Sequence, residues 1–382
     1  SNVYSLSVTT DAYVLPRVTN VSTSSTSSSI TINVSASGGT GNVVKYYYSK
    51  DNGSNYVEST SSSYTFSNLT SDATFYVKVY VKDSNNRDSS VSSTSIKTKL
   101  PTIKDVCSSG TNLASCIKTF GDKGSSISNI YHHDASLTNG AGDNSYRFAG
   151  ASDQVNNYVC FGSNVTPCPE NNLYRIIGVF GDKVKLIKST SVGNKEWDSN
   201  GKNTWSTSSL NNYLNGDFIN TFDETTKGNI ADTTWKVGGN TWSNIGEQLA
   251  KTAYQNEVVN PVPGSTSSNG ETEYSAKIGL MYVSDYMYAA PQDKWTLVGN
   301  GRATTDYRAA TSVNWMYRGL IEWTISRTAG ISGGAFGVYS AGYVSNYDVG
   351  NFAFGVRPVF YLTSSVNYAS GSGTTTDPII IN

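Results

Sequence analysis

The sequence predicts two parts of different class: an all-β sandwich over residues 17–100, then a mixed α+β domain over residues 105–382. Three observations carry this. Ser29-Ile30-Thr31-Ile32-Asn33-Val34-Ser35 and Phe75-Tyr76-Val77-Lys78-Val79-Tyr80-Val81 alternate with period two, the mark of half-buried strands. All seven Trp and all four Cys lie beyond Pro101-Thr102-Ile103, so composition changes at a linker. Finally, 382 residues are more than one core usually organises.

In the first part, Asp51-Asn52-Gly53 lies between Tyr46-Tyr47-Tyr48 and Tyr56-Val57 and predicts a hairpin turn, because Asn and Gly tolerate positive φ. Asn85-Asn86 plays a similar part before the last strand. Leu69 followed by Phe75, Val77 and Val79 resembles a fibronectin type III module, with the neighbouring immunoglobulin-like sandwiches as the alternative. Phe75 stands where that family usually has Tyr, so the tyrosine-corner hydrogen bond is not expected. The resemblance implies a spacer or adhesive module without an active site. Residues 1–16 read as the end of a preceding repeat or linker, since Ser5-Leu6-Ser7-Val8-Thr9-Thr10 before Pro16 parallels Ser95-Ile96-Lys97-Thr98 before Pro101. The chain begins without Met or a signal peptide, which reads as a mature or expressed fragment attached to a cell by sequence outside it.

In the second part, Cys107, Cys116, Cys160 and Cys168 form two close pairs. Two local disulfides are the simplest of the three possible connectivities and imply an oxidising, extracytoplasmic compartment. Their spacing is not that of a zinc knuckle. Residues 107–172 are loop-rich, a stretch the disulfides would staple. Leu173–Phe180, Gly181-Asp182 and Val184–Ile187 predict a hairpin. Thr207 or Ser208 is placed to cap a helix carrying Leu210, Tyr213 and Leu214, and Asp223 to cap another carrying Ile230. From Lys277 to Leu362 strands alternate with Gly-rich turns.

Composition narrows the function. Lys+Arg of 28 against Asp+Glu of 29 gives a net charge of -1, without the basic footprint of a nucleic-acid binder or polybasic membrane-surface protein. The longest apolar run, Leu173–Phe180, is broken by Arg175 and is far shorter than the roughly 20 residues that span a bilayer. No membrane insertion within this chain is expected. Tyr numbers 26 and charged residues only 15%, a composition that suits recognition, although a good strand former on half-exposed sheets accounts for most of those rings.

Asn314-Trp315-Met316-Tyr317, Glu322-Trp323-Thr324-Ile325-Ser326-Arg327 and Gly355-Val356-Arg357-Pro358-Val359-Phe360-Tyr361-Leu362 together resemble the C-type lectin fold in its formylglycine-generating-enzyme-like branch. With the hairpin at Leu173 to Ile187 and the helix near Trp205 to Leu214, the likeness covers most of 170–365. The enzyme chemistry of that branch does not carry over, since it needs cysteines near the C-terminal end or a set of His ligands. Here no Cys follows Cys168, and His132 and His133 are the only His, pointing to opposite faces if they lie on a strand. Pro291-Gln292-Asp293 only permutes a calcium-dependent sugar-binding triplet, and Trp-Asn-Asp is missing, so no metal or other cofactor is assigned. Glu322 and Arg327 suit a framework salt bridge or buried network better than catalysis.

Between the framework positions stand Arg318, Leu320, Ile321, Thr328, Ile331, Tyr339, Ser340, Tyr343, Asn346, Tyr347, Asp348, Asn351, Phe352 and Phe354, aromatic and apolar residues interleaved with Gly in turns. Exposed aromatic anchors among small polar residues compose a hot-spot surface, with Phe352 and Phe354 equally suited to facing the core. The layout also resembles the variable proteins of diversity-generating retroelements, with Trp315, Glu322, Trp323, Arg327, Val356, Arg357 and Pro358 as scaffold. The expectation is a non-catalytic extracellular protein, on a bacterial surface or secreted, that binds a protein or glycan ligand on another cell or host surface. The alternatives are an enzyme on the same scaffold and a stalk or pilus-like building block.

Overall fold

A computed structural model describes residues 13–262, 270–300 and 305–382, and the chain divides into two compact units, Ser1–Pro101 and Thr102–Asn382. The segment Ser5–Thr10, read above as part of a preceding repeat, lies outside the described residues.

The first unit contains β1 (Arg17–Ser25), β2 (Ile30–Ser37), β3 (Val43–Ser49), β4 (Val57–Ser59), β5 (Ser63–Phe66), β6 (Thr74–Asp83) and β7 (Ser92–Lys97). They form an antiparallel sheet ordered β1-β2-β5 and another ordered β4-β3-β6-β7, a fibronectin III-like β-sandwich. Alternation decides which side chains are inside. Ile30, Ile32 and Val34 of β2 and Val77, Val79 and Val81 of β6 are buried, with Tyr48 among them donating its hydroxyl to the Ser61 carbonyl at 2.7 Å. The β3–β4 turn has Asn52 and Gly53 at φ 60° and 86°, the conformation those residue types supply. Phe75 packs part-buried on this core together with Leu69.

Along the second unit run α1 (Leu113–Gly121), α2 (Ser125–Ser128), β8 (Ile130–His132), β9 (Tyr146–Phe148), β10 (Tyr158–Cys160), β11 (Leu173–Phe180), β12 (Lys183–Lys188) and β13 (Asn194–Glu196). Next come α3 (Ser209–Tyr213), α4 (Glu224–Gly228), β14 (Thr233–Lys236), β15 (Gly239–Asn240), α5 (Trp242–Ile245) and α6 (Ala250–Tyr254). Then follow β16 (Glu273–Ala276), β17 (Ile278–Gly279), α7 (Val283–Tyr288), β18 (Glu322–Thr328), β19 (Gly334–Val338) and β20 (Val344–Asp348). The last four are β21 (Ala353–Gly355), β22 (Val359–Tyr361), β23 (Tyr368–Ser370) and β24 (Ile379–Ile381). One sheet runs β17-β22-β12-β11-β10-β24-β23, with β9 also joined to β11 and β8 to β9. Another runs β13-β21-β18-β19-β20, with β15 parallel to β18, and β14 pairs β16 separately. No helix among the described residues is long and apolar enough to cross a membrane.

Several local expectations hold. β11 and β12 form the anticipated hairpin, with Gly181 at φ 63° in its turn. Ser208 caps α3 by accepting from the Asn211 N–H, and Asp223 caps α4 by accepting from Thr226 N–H. Both disulfides, Cys107–Cys116 and Cys160–Cys168, are present.

Three expectations are corrected. Residues 107–172, read as loop-rich, also carry α1, whose Leu113, Ala114, Cys116, Ile117 and Phe120 belong to the same core as Trp315 and Val359. Their spacing of three and four makes one helical stripe, and Asn112 caps it by accepting from Ser115 N–H. Ile230 lies beyond α4, where it is buried and bridges Leu362. Residues 277–362 also hold α7, a helix buried along its whole length and therefore without the polar face that would have advertised it.

Candidate ligand-binding surface

The central strand of the second sheet, β18, is buried at every position. Its acidic residue finds a partner across the domain. Glu322 accepts from Arg357 Nε at 2.6 Å and from Arg357 Nη2 at 2.8 Å, a bidentate pair with both side chains 2% exposed. Arg327 is not the partner of Glu322. Arg327 donates instead to the Val237 and Glu271 carbonyls. These bonds fix β18 as the framework on which the β19–β20 hairpin and β21 are laid.

Buried Asn203 holds the loop between β18 and β19, its Nδ2 donating to the carbonyls of Thr328, Ile331 and Gly334 at 2.7, 3.0 and 2.9 Å. At the far end of the hairpin, the turn 339–342 is fixed by two tyrosine hydroxyls. Tyr317 donates to Ser340 O at 2.6 Å and Tyr286 donates to Gly342 O at 2.8 Å. Gly342 has φ 93°, and a Cβ there would lie 2.1 Å from the Thr311 methyl, so the turn accepts no side chain at that position.

On this frame the aromatic residues form a graded stack from core to solvent. Trp323 is buried and lies 4.7 Å from Phe354; Tyr347, half-buried, meets Phe354 edge-on at 4.8 Å; Phe352, 46% exposed, stacks on Phe354 at 5.5 Å. Burial raises the Tyr347 hydroxyl pKa above its ordinary value, so the ring presents a neutral donor. Beside Tyr347 opens a groove of about 660 Å³ lined by Gly201, Gly330, Ile331, Ser332, Gly333, Asn346, Tyr347 and Asp348. Asp348 accepts from the Gly350 and Asn351 N–H groups, which sets its carboxylate at the groove edge. Around the hairpin turn, Tyr339 and Tyr343 stack at 4.7 Å, and the Arg308 guanidinium, paired with Asp306, lies 6.0 Å from the Tyr343 ring.

The residues singled out from the sequence are thus distributed as follows. Asn346, Tyr347, Asp348 and Ile331 share the groove, and Phe352 joins them through Tyr347. Tyr339, Ser340 and Tyr343 form the hairpin turn. Arg318, Leu320 and Asn351 are exposed, and Ile321 is half-buried, its carbonyl accepting from Gly355 N–H. Two residues are corrected. Phe354 is 9% exposed and serves as the middle of the stack rather than as a contact surface, and Thr328 is buried at the end of β18. His132 stacks on Tyr146, whereas His133 is buried against Tyr288 and Trp295 and accepts from Ala141 N–H.

Sequence reasoning missed a buried charge network. Lys185 of β12 donates to Asp285 of α7 at 2.5 Å; Arg147 of β9 lies 3.8 Å from the other Asp285 oxygen and is paired with Asp143 at 2.7 Å. Burial pushes the Lys185 amine pKa down and Asp285 opposes that. Desolvation works against Asp143 and Arg147 as well, but each charge holds the other ionised. The signal was available. Val184-Lys185-Leu186-Ile187 is an apolar run with no alternation, the pattern of a strand covered on both faces, so a lysine inside it must be buried and partnered.

A family model described as a domain of unknown function, DUF6273, matches residues 181–364, from the β11–β12 turn to just past β22. No curated protein matches the chain. Among solved structures, the PKD1 domain of Vibrio anguillarum Epp is 17% identical, covering 24% of this chain and 100% of its own, with a TM-score of 0.20. The PKD1 domain of the Vibrio cholerae metalloprotease PrtV is 22% identical, covering 22% of this chain and 99% of its own, at a TM-score of 0.19. The fn3 domain of human collagen alpha-1(XX) is 18% identical, covering 25% and 94%, at 0.21.

Proposed function

We propose that this chain is a non-catalytic recognition protein of the cell exterior, in which a sandwich spacer carries a C-type-lectin-like domain that binds a glycan or protein on another surface. The observation that carries the reading is the aromatic stack ending in solvent at Phe352, beside a groove whose lining is mostly Gly, Ser, Asn and Asp. A phenylalanine nearly half exposed, backed by rings that hold it still, is a preorganised contact rather than a packing residue. A ring face flanked by amide and carboxylate groups suits a sugar, whose apolar face stacks while its hydroxyls are hydrogen-bonded. The two disulfides favour an extracytoplasmic location.

The placement of residues also supports a likeness to retroelement variable proteins. Trp315, Glu322, Trp323, Arg327, Val356, Arg357 and Pro358 are all buried, whereas Arg318, Leu320, Ile331, Asn351 and Phe352 between them are exposed. A nearby imperfect repeat of the codons for roughly 310–360, differing only at adenines, is the expected genomic sign, and a genome with no such repeat removes this part of the reading.

The test is a screen of the full chain against a glycan array and against host-surface proteins, with and without EDTA, beside Phe352→Ala and a Tyr339→Ala, Tyr343→Ala double variant. Binding that survives EDTA and is lost in folded variants supports the reading. A chain that binds nothing but self-associates equally in wild type and variants supports a stalk component instead.

A further inference from the structure

We propose that Lys185 and Asp285 condense to an amide, joining β12 to α7 through an internal side-chain cross-link. The inference is independent of the ligand-binding reading and rests on geometry at the core. The Lys185 amine and the Asp285 carboxylate are both 1% exposed and 2.5 Å apart. The amine is enclosed by the rings of Tyr282, Tyr361, Phe180 and Trp235 at 4.6, 5.3, 5.4 and 5.7 Å. In such surroundings an ion pair is held at a desolvation cost that the mutual attraction offsets poorly, whereas an amide of the same atoms carries no charge.

Each part needed for the condensation is in place. Burial already biases Lys185 toward the neutral amine. A proton passes from the ammonium to Asp285 Oδ2, the oxygen it already touches. The freed nitrogen lone pair attacks Cγ, forming the C–N bond, and negative charge collects on Oδ1. That oxygen faces Arg147 Nη1, 3.8 Å away, a cation suited to stabilising the tetrahedral intermediate. A second proton moves from nitrogen to Oδ2, the C–Oδ2 bond breaks, and one water leaves. Ammonium and carboxylate thus become amide plus water, with no oxidant or co-reactant. The Tyr282 N–H, which donates to Oδ2 at 2.9 Å, fixes the carboxylate orientation before attack. The cavity of about 40 Å³ bounded by Arg147, Lys185, Tyr282, Asp285 and Tyr361 has room for the water released. Arg147 and Asp143 remain as a balanced pair afterwards.

Intact-mass spectrometry of the purified full chain, denatured and with both disulfides reduced, tests this directly. The expected mass is lower than that of the sequence by one water, about 18 Da. Trypsin should fail to cut after Lys185, and fragmentation should place a branched peptide between the 183–188 and 283–288 segments. Lys185→Arg and Asp285→Ala should each return the full sequence mass. A wild-type chain at its full reduced mass, or a water loss that maps elsewhere, overturns the proposal, and neither result depends on whether the variants fold.

Discussion

Replacing Glu322 by Ala should be among the most damaging single changes in the second unit. The substitution removes two charge-assisted hydrogen bonds from Arg357, at 2.6 and 2.8 Å, and leaves a buried guanidinium whose remaining acceptor is the Met316 carbonyl at 2.8 Å. Breaking a buried pair from one side costs about 3–5 kcal/mol, since the surviving charge stays out of water. At about 2–4 °C per kcal/mol for a unit of this size, Tm should fall by roughly 6–20 °C. Tryptophan fluorescence isolates the effect, because all seven Trp belong to the second unit and the sandwich has none. Urea unfolding followed at the indole should show a lower midpoint with an unchanged slope. The double variant Glu322→Met, Arg357→Met should recover most of the loss, within about 1 kcal/mol of wild type, as hydrophobic replacement of a whole ion pair often does. A loss below about 1 kcal/mol for Glu322→Ala would refute the claim that this pair anchors β18.

The aromatic stack predicts a division of labour: Phe354→Ala should destabilise by about 3 kcal/mol, whereas Phe352→Ala should cost under about 1 kcal/mol while abolishing ligand capture, both read from unfolding curves and the binding screen. His133 predicts a pH dependence. Its pKa is held well below 6.5 by burial and then by Arg147 and His132, with Asp143 pulling the other way, so unfolding takes up a proton that the native state refuses. Stability should be fully present above pH 6.5 and fall by up to about 1.4 kcal/mol per pH unit below it, and His133→Gln should remove that slope; equal slopes for both proteins count against the assignment. Each disulfide closes a loop with a separation of nine or eight residues, so converting either pair to Ser should cost about 2.5 kcal/mol by chain entropy, measured in the same urea titrations.

Where burial is one-sided, the sequence was readable. β2 and β6 alternate because one face of each meets the opposite sheet, and Asn52-Gly53 announces its turn through the φ angles it accepts. The caps at Ser208 and Asp223 were equally plain. Elements covered on all sides were harder: α7 has no polar face, and Lys185 gives no sign of its partner 100 residues away. α1 was overlooked for a different reason, because its stripe of Leu113, Cys116, Ile117 and Phe120 is short and set among Gly, Ser and Asn. Of the candidate surface, the residue types and the segment were legible. Which of two neighbouring phenylalanines faces solvent was not, since it depends on Trp323 and Tyr347 arriving from other strands.

The last strand, β24, lies parallel to β10, with Val159 beside Ile379, positions some 220 residues apart in the chain. Nearby, Gly110 N–H donates to Tyr368 O and Leu113 N–H to Val366 O. The beginning of this unit is therefore stitched to its end. A nascent chain cannot complete the large sheet until residues 379–381 are free, and β10 must wait with an open edge meanwhile. The strand pairings of the sandwich all lie within residues 17–97, so it can fold while the following unit is still being delivered. Completion of the large sheet is then timed by the release of β24, and a chain lacking that strand would leave β10 without its parallel neighbour.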